Sequence, residues 1–230
     1  YKYFLFFDMT DKSINNLISI QDNIKNLNSK KTIRPEIICV SKTFSLDRLR
    51  PLLDHGHIHF GENKVQEADL KWSELKIKNT KIKLHMVGKL QSNKVKKAVQ
   101  IFDYIHSLDN IKLANELKKR ETELGKRLSY FIQVNVGEEI QKGGIKPGDT
   151  KEFLKYCLEK VKLNIIGLMI IPPNDQNTRR YFEEISKLNF DLGLKDLSMG
   201  MSSDYVIATE FHSTFLRIGS AILGERKVNK

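Results

Sequence analysis

Ile37-Ile38-Cys39-Val40-Ser41-Lys42-Thr43 places one lysine directly behind a short apolar, β-branched run. A run of this length bounded by polar residues predicts a buried strand. The following stretch, 46–55, carries its apolar residues at helical spacing, so the two together predict the first strand and helix of a repeating β/α protein. In a parallel barrel, functional side chains gather at the C-terminal strand ends, which is where Lys42 would stand. Most lysines at a strand end simply point into solvent. Lys42 therefore needs other residues around it before it counts as chemistry.

Further strand-like runs recur at 58–61, 84–87, 104–107, 130–136, 164–169, 197–199 and 215–218. Helical periodicity fills 92–99, 111–119, 150–161 and 178–188 between them. Counting the first, these eight alternations show no break in composition and predict an α/β fold, a (β/α)8 TIM barrel, as a single domain. The barrel is expected over 35–226, behind an N-terminal extension and helix within 1–34 whose amphipathic part covers 11–27. The short seventh and eighth strands rest on the rhythm of the pattern. Gly143-Gly144 and Pro172-Pro173-Asn174 read as βα loops, and no interior linker stands out.

The barrel, if formed, brings Lys42, Gly61-Glu62-Asn63, Gly88, Asn135, Met169, Gly200-Met201-Ser202 and Gly219-Ser220 to one mouth. Barrels often seat a phosphate between the loops after strands 7 and 8, on backbone N–H groups. Those loops here are SMGMSSDY at 198–205 and RIGS at 217–220. Small residues let the backbone approach an anion, Ser202 adds a hydroxyl, and Asp204 is placed to cap a following helix. Either segment alone would be an ordinary turn; their joint position favours a phosphate seat opposite Lys42.

Composition narrows the alternatives. The 230 residues, 40% hydrophobic, suffice for a substantial core. No run approaches the roughly 18 to 20 apolar residues of a membrane span. The early patch 3–7 is followed by Asp8 with no small-residue cleavage signal, a poor secretory leader. The chain begins with Tyr1 and not Met, which leaves a processed or truncated start open. Two cysteines, Cys39 and Cys157, give no disulfide framework, so a reducing, cytoplasmic location is expected, with a mitochondrial fraction left open. The formal charge of +11, with Lys94, Lys96, Lys97 and Lys118-Lys119-Arg120 in helical stretches, raises nucleic-acid binding as a reading. Lysines are nevertheless spread over most polar stretches, without zinc-finger spacing or an aromatic RNA-binding signature. The charge is read as a solvated face that suits anionic ligands.

Five segments carry a more specific likeness: VSKT at 40–43, FGENKVQE at 60–67, HMVGKLQSNK at 85–94, LSMGMSSDY at 197–205 and RIGSAILGER at 217–226. In this order they resemble the pyridoxal phosphate homeostasis protein family, whose barrel is that of the alanine racemase N-terminal domain. The resemblance implies pyridoxal 5′-phosphate as cofactor, held by Lys42 as a Schiff base. It places Arg217 at the pyridine nitrogen, and the phosphate on Ser202 with backbone N–H groups near Ser203, Gly219 and Ser220, Met201 lying beside them. Asn63 and His85 are expected to line the same pocket. Departures from the family pattern lie at Lys89, where proline is common, at Ile222-Leu223-Gly224-Glu225 in the final motif, and at His212, where glycine is frequent.

Efficient Cα proton chemistry needs two positioned acid/base groups, and Lys42 is one. In alanine racemase, as the resemblance implies, a partner tyrosine comes from a second domain, and none is expected here, with four residues following Arg226. The expectation is a protein that binds, buffers or delivers the cofactor, with apo-enzymes that depend on it as recipients, and not an efficient enzyme. A racemase-like enzyme and a basic nucleic-acid module rank behind it. His55, His57 and His59, the last two expected on one strand face, lack further ligands and predict no metal site. Trp72 is expected to pack a helix on the barrel, Glu62 to hydrogen-bond at the mouth, and Asn135 with Lys142 and Gly144 to close over the cofactor.

Overall fold

In a computed structural model the chain folds as an eight-stranded closed parallel barrel, described over residues 11–27, 34–139 and 141–225. The early apolar patch at 3–7 and Arg226 lie outside the described residues. The strands are β1 (Glu36–Val40), β2 (His59–Glu62), β3 (Lys83–Met86), β4 (Tyr104–Leu108), β5 (Ser129–Val134), β6 (Ile165–Ile170), β7 (Asp196–Ser198) and β8 (Phe215–Ile218). Each pairs in parallel with the next in sequence, and β8 closes on β1 with Ile38 opposite Arg217. The expected strands fall within a residue or two of these.

One helix precedes the barrel and the others follow the strands in turn. They are α1 (Lys12–Leu27), α2 (Leu46–Asp54), α3 (Val65–Lys78), α4 (Val95–Ile101), α5 (Ile111–Leu124), α6 (Thr150–Lys155), α7 (Thr178–Asp191), α8 (Tyr205–Glu210) and α9 (Ser220–Leu223). The helical stretch at 92–99 opens as a 3-10 turn over Ser92–Lys94. The one at 150–161 widens after Lys155 into a π-helical turn over Tyr156–Val161. The pattern at 65–78 yields one of the longer helices although its periodicity is weak. Leu70 and Ile77 point into solvent, so the apolar residues do not trace one stripe, while Val65, Ala68 and Trp72 alone make its buried face.

In α1, Ser13, Leu17, Ile20 and Ile24 recur every three or four residues and are buried. This face packs on α2, α8 and α9, where Asn16 Nδ2 donates to the Ile222 carbonyl at 3.0 Å. The outer layer of apolar side chains between strands and helices is the main core. Inside the barrel a second cluster, Ile38, Phe131, Met169 and Phe215, fills the lumen. Because residues two apart on a strand share a face about 6.6 Å apart, the lumen is layered. Ile38 lies below Val40 and Lys42, and Phe215 below Arg217 and Gly219. No helix among the described residues is long and apolar enough to cross a membrane.

Candidate functional site

Lys42 stands in the turn two residues past β1, at the C-terminal mouth, and lines a cavity of about 620 Å³, a volume suited to a small cofactor. Asn63, Met201, Ser202 and Ser203 line the same cavity, as do Arg217, Gly219 and Ser220. Eight of the nine residues expected at the site from the sequence thus meet in one place, drawn from the ends of β1, β2, β7 and β8. His85 does not. It is fully buried in the lumen, two residues below Val87, and it is Val87 that reaches the cavity. The motif reads correctly for its strand and wrongly for its layer, one pleat too high.

The turn carrying Lys42 is held from beneath. Ser41 Oγ donates to Glu62 Oε1 at 2.7 Å, and Trp72 Nε1 donates to the same oxygen at 2.9 Å. Lys71 Nζ, on α3, donates to Glu62 Oε1 at 2.8 Å, to the Ser41 carbonyl at 2.9 Å and to Glu67 Oε1 at 3.2 Å. Glu67 in turn accepts from the Thr43 N–H. Thr43 adopts a positive φ of 69°, costly for a β-branched residue and sustained by that bond. Glu62 is fully buried and Lys71 nearly so. Glu62 is therefore a strut under the turn and does not line the cavity. Sequence reasoning missed Lys71 and Glu67; their i,i+4 spacing on one helix face was the available signal. Gly88 lies against the backbone of Asn63, where a Cβ would collide with it, so glycine there lets the loop after β3 press Asn63 toward the mouth.

The loops after β7 and β8 meet at Ser202. Its Oγ accepts from the backbone N–H of Gly219 at 3.3 Å and of Ala221 at 3.2 Å. With both lone-pair directions engaged, the hydroxyl proton is left to donate outward. The N–H groups of Ser203 and Ser220 donate to no protein acceptor among the described residues. Gly200 takes φ +92°, and a Cβ there would lie 2.6 Å from Ala208 Cβ, so the first loop turns tightly only with glycine. Asp204 does not cap α8 with its side chain; Oδ1 accepts from the Met201 N–H and closes the loop on itself.

Arg217 projects from β8, 5% exposed. Nη1 donates to Ser198 Oγ at 2.6 Å and Nη2 to the Ile170 carbonyl at 2.7 Å. Burial pushes its pKa down to about 10, with the Asp204 charge opposing the drop, so the group stays a cation at neutral pH. Two bonds leave donors of the five-donor fork for the cavity.

Other expected features part from the mouth. Asn135 Nδ2 donates to the carbonyls of Glu139 and Lys142, and Lys142 pairs with Glu139, so these residues fold their own loop and do not line the cavity. His57 packs edge-on against Phe60 in the outer layer, while His59 turns into the lumen against His85 and Phe215; the two do not share a face. No group of three or more metal-ligating side chains occurs among the described residues. Trp72 is buried at 4.8 Å from the Phe60 ring. Phe44, Ile171 and the departing motif residues Gly224 and Glu225 also line the cavity. Of the departures, Gly224 and Glu225 alone reach its rim, while Ile222 and Leu223 are buried in the outer core and Lys89 and His212 lie away from the cavity.

The fold and this mouth define a barrel of the alanine racemase N-terminal domain class, and the chain matches that family over residues 16–227. The pyridoxal phosphate homeostasis protein of Aquifex aeolicus is 38% identical over 212 residues, covering 88% of this chain and 87% of its own. The structure of PipY of Synechococcus elongatus with PLP bound is 33% identical, with a TM-score of 0.78, covering 89% of this chain and all of that one. Alanine racemase of Clostridium difficile shares the fold alone, at 14% identity and a TM-score of 0.71, and the match spans 58% of its chain. This chain belongs to the pyridoxal phosphate homeostasis protein family.

Proposed function

We propose that the protein holds pyridoxal 5′-phosphate at Lys42 and serves vitamin B6 homeostasis by buffering the cofactor or delivering it to apo-enzymes, without efficient turnover. The observation that carries this reading is the convergence of Lys42, Arg217 and Ser202 on one cavity, although they lie on strands far apart in sequence. When bound, the cofactor supplies an aldehyde that condenses with a primary amine and releases one water. Lys42 offers that amine from a turn braced by Glu62, Lys71 and Glu67. The outward Ser202 hydroxyl and the N–H groups of Ser203 and Ser220 suit phosphate oxygens.

Arg217 bears on turnover. A guanidinium only donates and stays charged, so it hydrogen-bonds a pyridine nitrogen without protonating it, which leaves the ring a weak electron sink. That property favours storage over Cα carbanion chemistry. The relatives carry the name of homeostasis proteins, which supports the same side, while the shared fold with alanine racemase keeps a racemase-like enzyme as the second reading.

Borohydride reduction of cofactor-saturated protein followed by peptide mass mapping is expected to place a pyridoxyl group on Lys42, with none on Lys42→Ala. An adduct on another lysine overturns the site. Turnover of an amino acid at rates typical of enzymes, about 10 per second, overturns the carrier reading.

A further inference from the structure

The lumen below Arg217 is filled in an unusual way. Barrel interiors are mostly packed with branched apolar side chains, yet here a row of polar groups crosses it. Ser198 Oγ accepts from Arg217 and lies 2.9 Å from His106 Nδ1. His106 Nε2 lies 2.9 Å from His85 Nδ1, and His85 Nε2 lies 2.9 Å from His59 Nδ1. His59 Nε2 faces Glu36 Oε2 at 3.7 Å. Glu36 and His59 line a second cavity, about 470 Å³, at the opposite mouth. His85 and His106 are fully buried, and each ring is stacked, on Tyr104 and on Phe131 respectively, with centroids 4.3 Å apart.

The two ends of this row are chemically unlike. Arg217 can only donate, and an ionised Glu36 can only accept. Ser198 Oγ, already accepting from Arg217, has its own proton to place, and its acceptor among the described residues is His106 Nδ1. His106 must then carry its proton on Nε2 and give it to His85 Nδ1. His85 in turn donates from Nε2 to His59 Nδ1, and His59 turns its Nε2–H toward Glu36. The opposite polarity would leave the serine proton without an acceptor and aim a bare imidazole nitrogen at a carboxylate. Burial holds both inner histidines neutral, as a one-proton-per-ring chain requires.

We propose that Ser198, His106, His85 and His59 form a polarised hydrogen-bond relay, every imidazole an Nε2–H tautomer, that fixes the Arg217 guanidinium beneath the cofactor cavity from the far mouth of the barrel. These are positioning residues: none of the four lines the cavity, and they act through Arg217. The part concerning cofactor rests on the function proposed above. The tautomer part does not.

Two measurements separate them. Long-range 1H–15N spectra of the imidazoles in the cofactor-free, unmutated chain at neutral pH are expected to show protonated Nε2 and bare Nδ1 at His59, His85 and His106. A proton on Nδ1 of His85 or His106 overturns the relay. In cofactor-loaded protein, Ser198→Ala is expected to release cofactor about tenfold faster and to shift its visible absorption maximum. Ser198→Thr, which restores the hydroxyl, is expected to reverse both. Release and spectrum unchanged in a folded Ser198→Ala chain overturn the positioning role. Failure of the unmutated protein to load at Lys42 sinks the cofactor reading and leaves the tautomer result to decide the relay.

Discussion

Beneath Lys42, Glu62 and Lys71 are buried as an ion pair; Glu62 Oε1 also accepts from Ser41 and Trp72, and Lys71 also donates to the Ser41 carbonyl and to Glu67. Beneath Arg217, the buried groups are neutral imidazoles handed from strand to strand. Both clusters support one cavity, by different physics. A buried ion must have its counter-ion at hand, so the first cluster is compact and local to β2 and α3. Neutral rings tolerate a dry lumen at lower cost, so the second can extend across the barrel provided every donor meets an acceptor.

The difference can be broken most forcefully at Lys71. Lys71→Met leaves the Glu62 carboxylate buried without its ion, and the expected loss of stability is about 3–5 kcal/mol by urea denaturation. Adding Glu62→Gln, which removes the charge yet keeps an acceptor for Ser41 and Trp72, is expected to recover most of it. A loss under about 1 kcal/mol in the single variant would mean that the carboxylate is not held as an ion.

Acid should separate the two clusters next. Burial, aided for His85 by neighbouring His106 and for His106 by Arg217, lowers both histidines well below 6.5, and burial lowers His57 to about 4. The unfolded chain takes up protons that these folded rings refuse. Stability is therefore retained above pH 6.5 and falls as pH drops below it, by up to about 1.4 kcal/mol per histidine per pH unit. Between pH 6.5 and 5.5, His85 and His106 together are expected to cost about 2 kcal/mol, and His57 about 1 kcal/mol more. Urea midpoints that stay level across that interval would contradict neutral burial.

The smallest effect lies outside both clusters, in the turn before β8. His212 adopts φ 64°, the left-handed region that a side chain enters at about 1–2 kcal/mol. His212→Gly removes that strain but loosens the unfolded chain, for a net gain of about 0.5–1 kcal/mol. A thermal midpoint that falls on substitution would show the imidazole making a contact worth more than the strain.

Much of this was legible before any coordinates. The strand rhythm and the lysine at 42 point to the barrel, and the glycine- and serine-rich loops at 198–205 and 217–220 point to the loops that meet at the cavity, because short β-branched runs and turn chemistry are local properties. Over 65–78 exposed Leu70 and Ile77 blur the stripe, so the helix that Trp72 implies has no bounds in the local pattern. The motif around His85 assigns it to the right strand but not to the lumen layer, since a motif carries no depth.

The amino-acid sequence by itself determined the order of strands, the lysine at the first strand end and the small residues that can approach an anion. Closure of the barrel alone decided which side chains meet. It set β8 beside β1 and brought Ser198 to His106 across 92 positions of chain. It also chose, pleat by pleat, which residues face the cavity and which the lumen. Those pairings depend on register and distance in three dimensions, which no local pattern encodes.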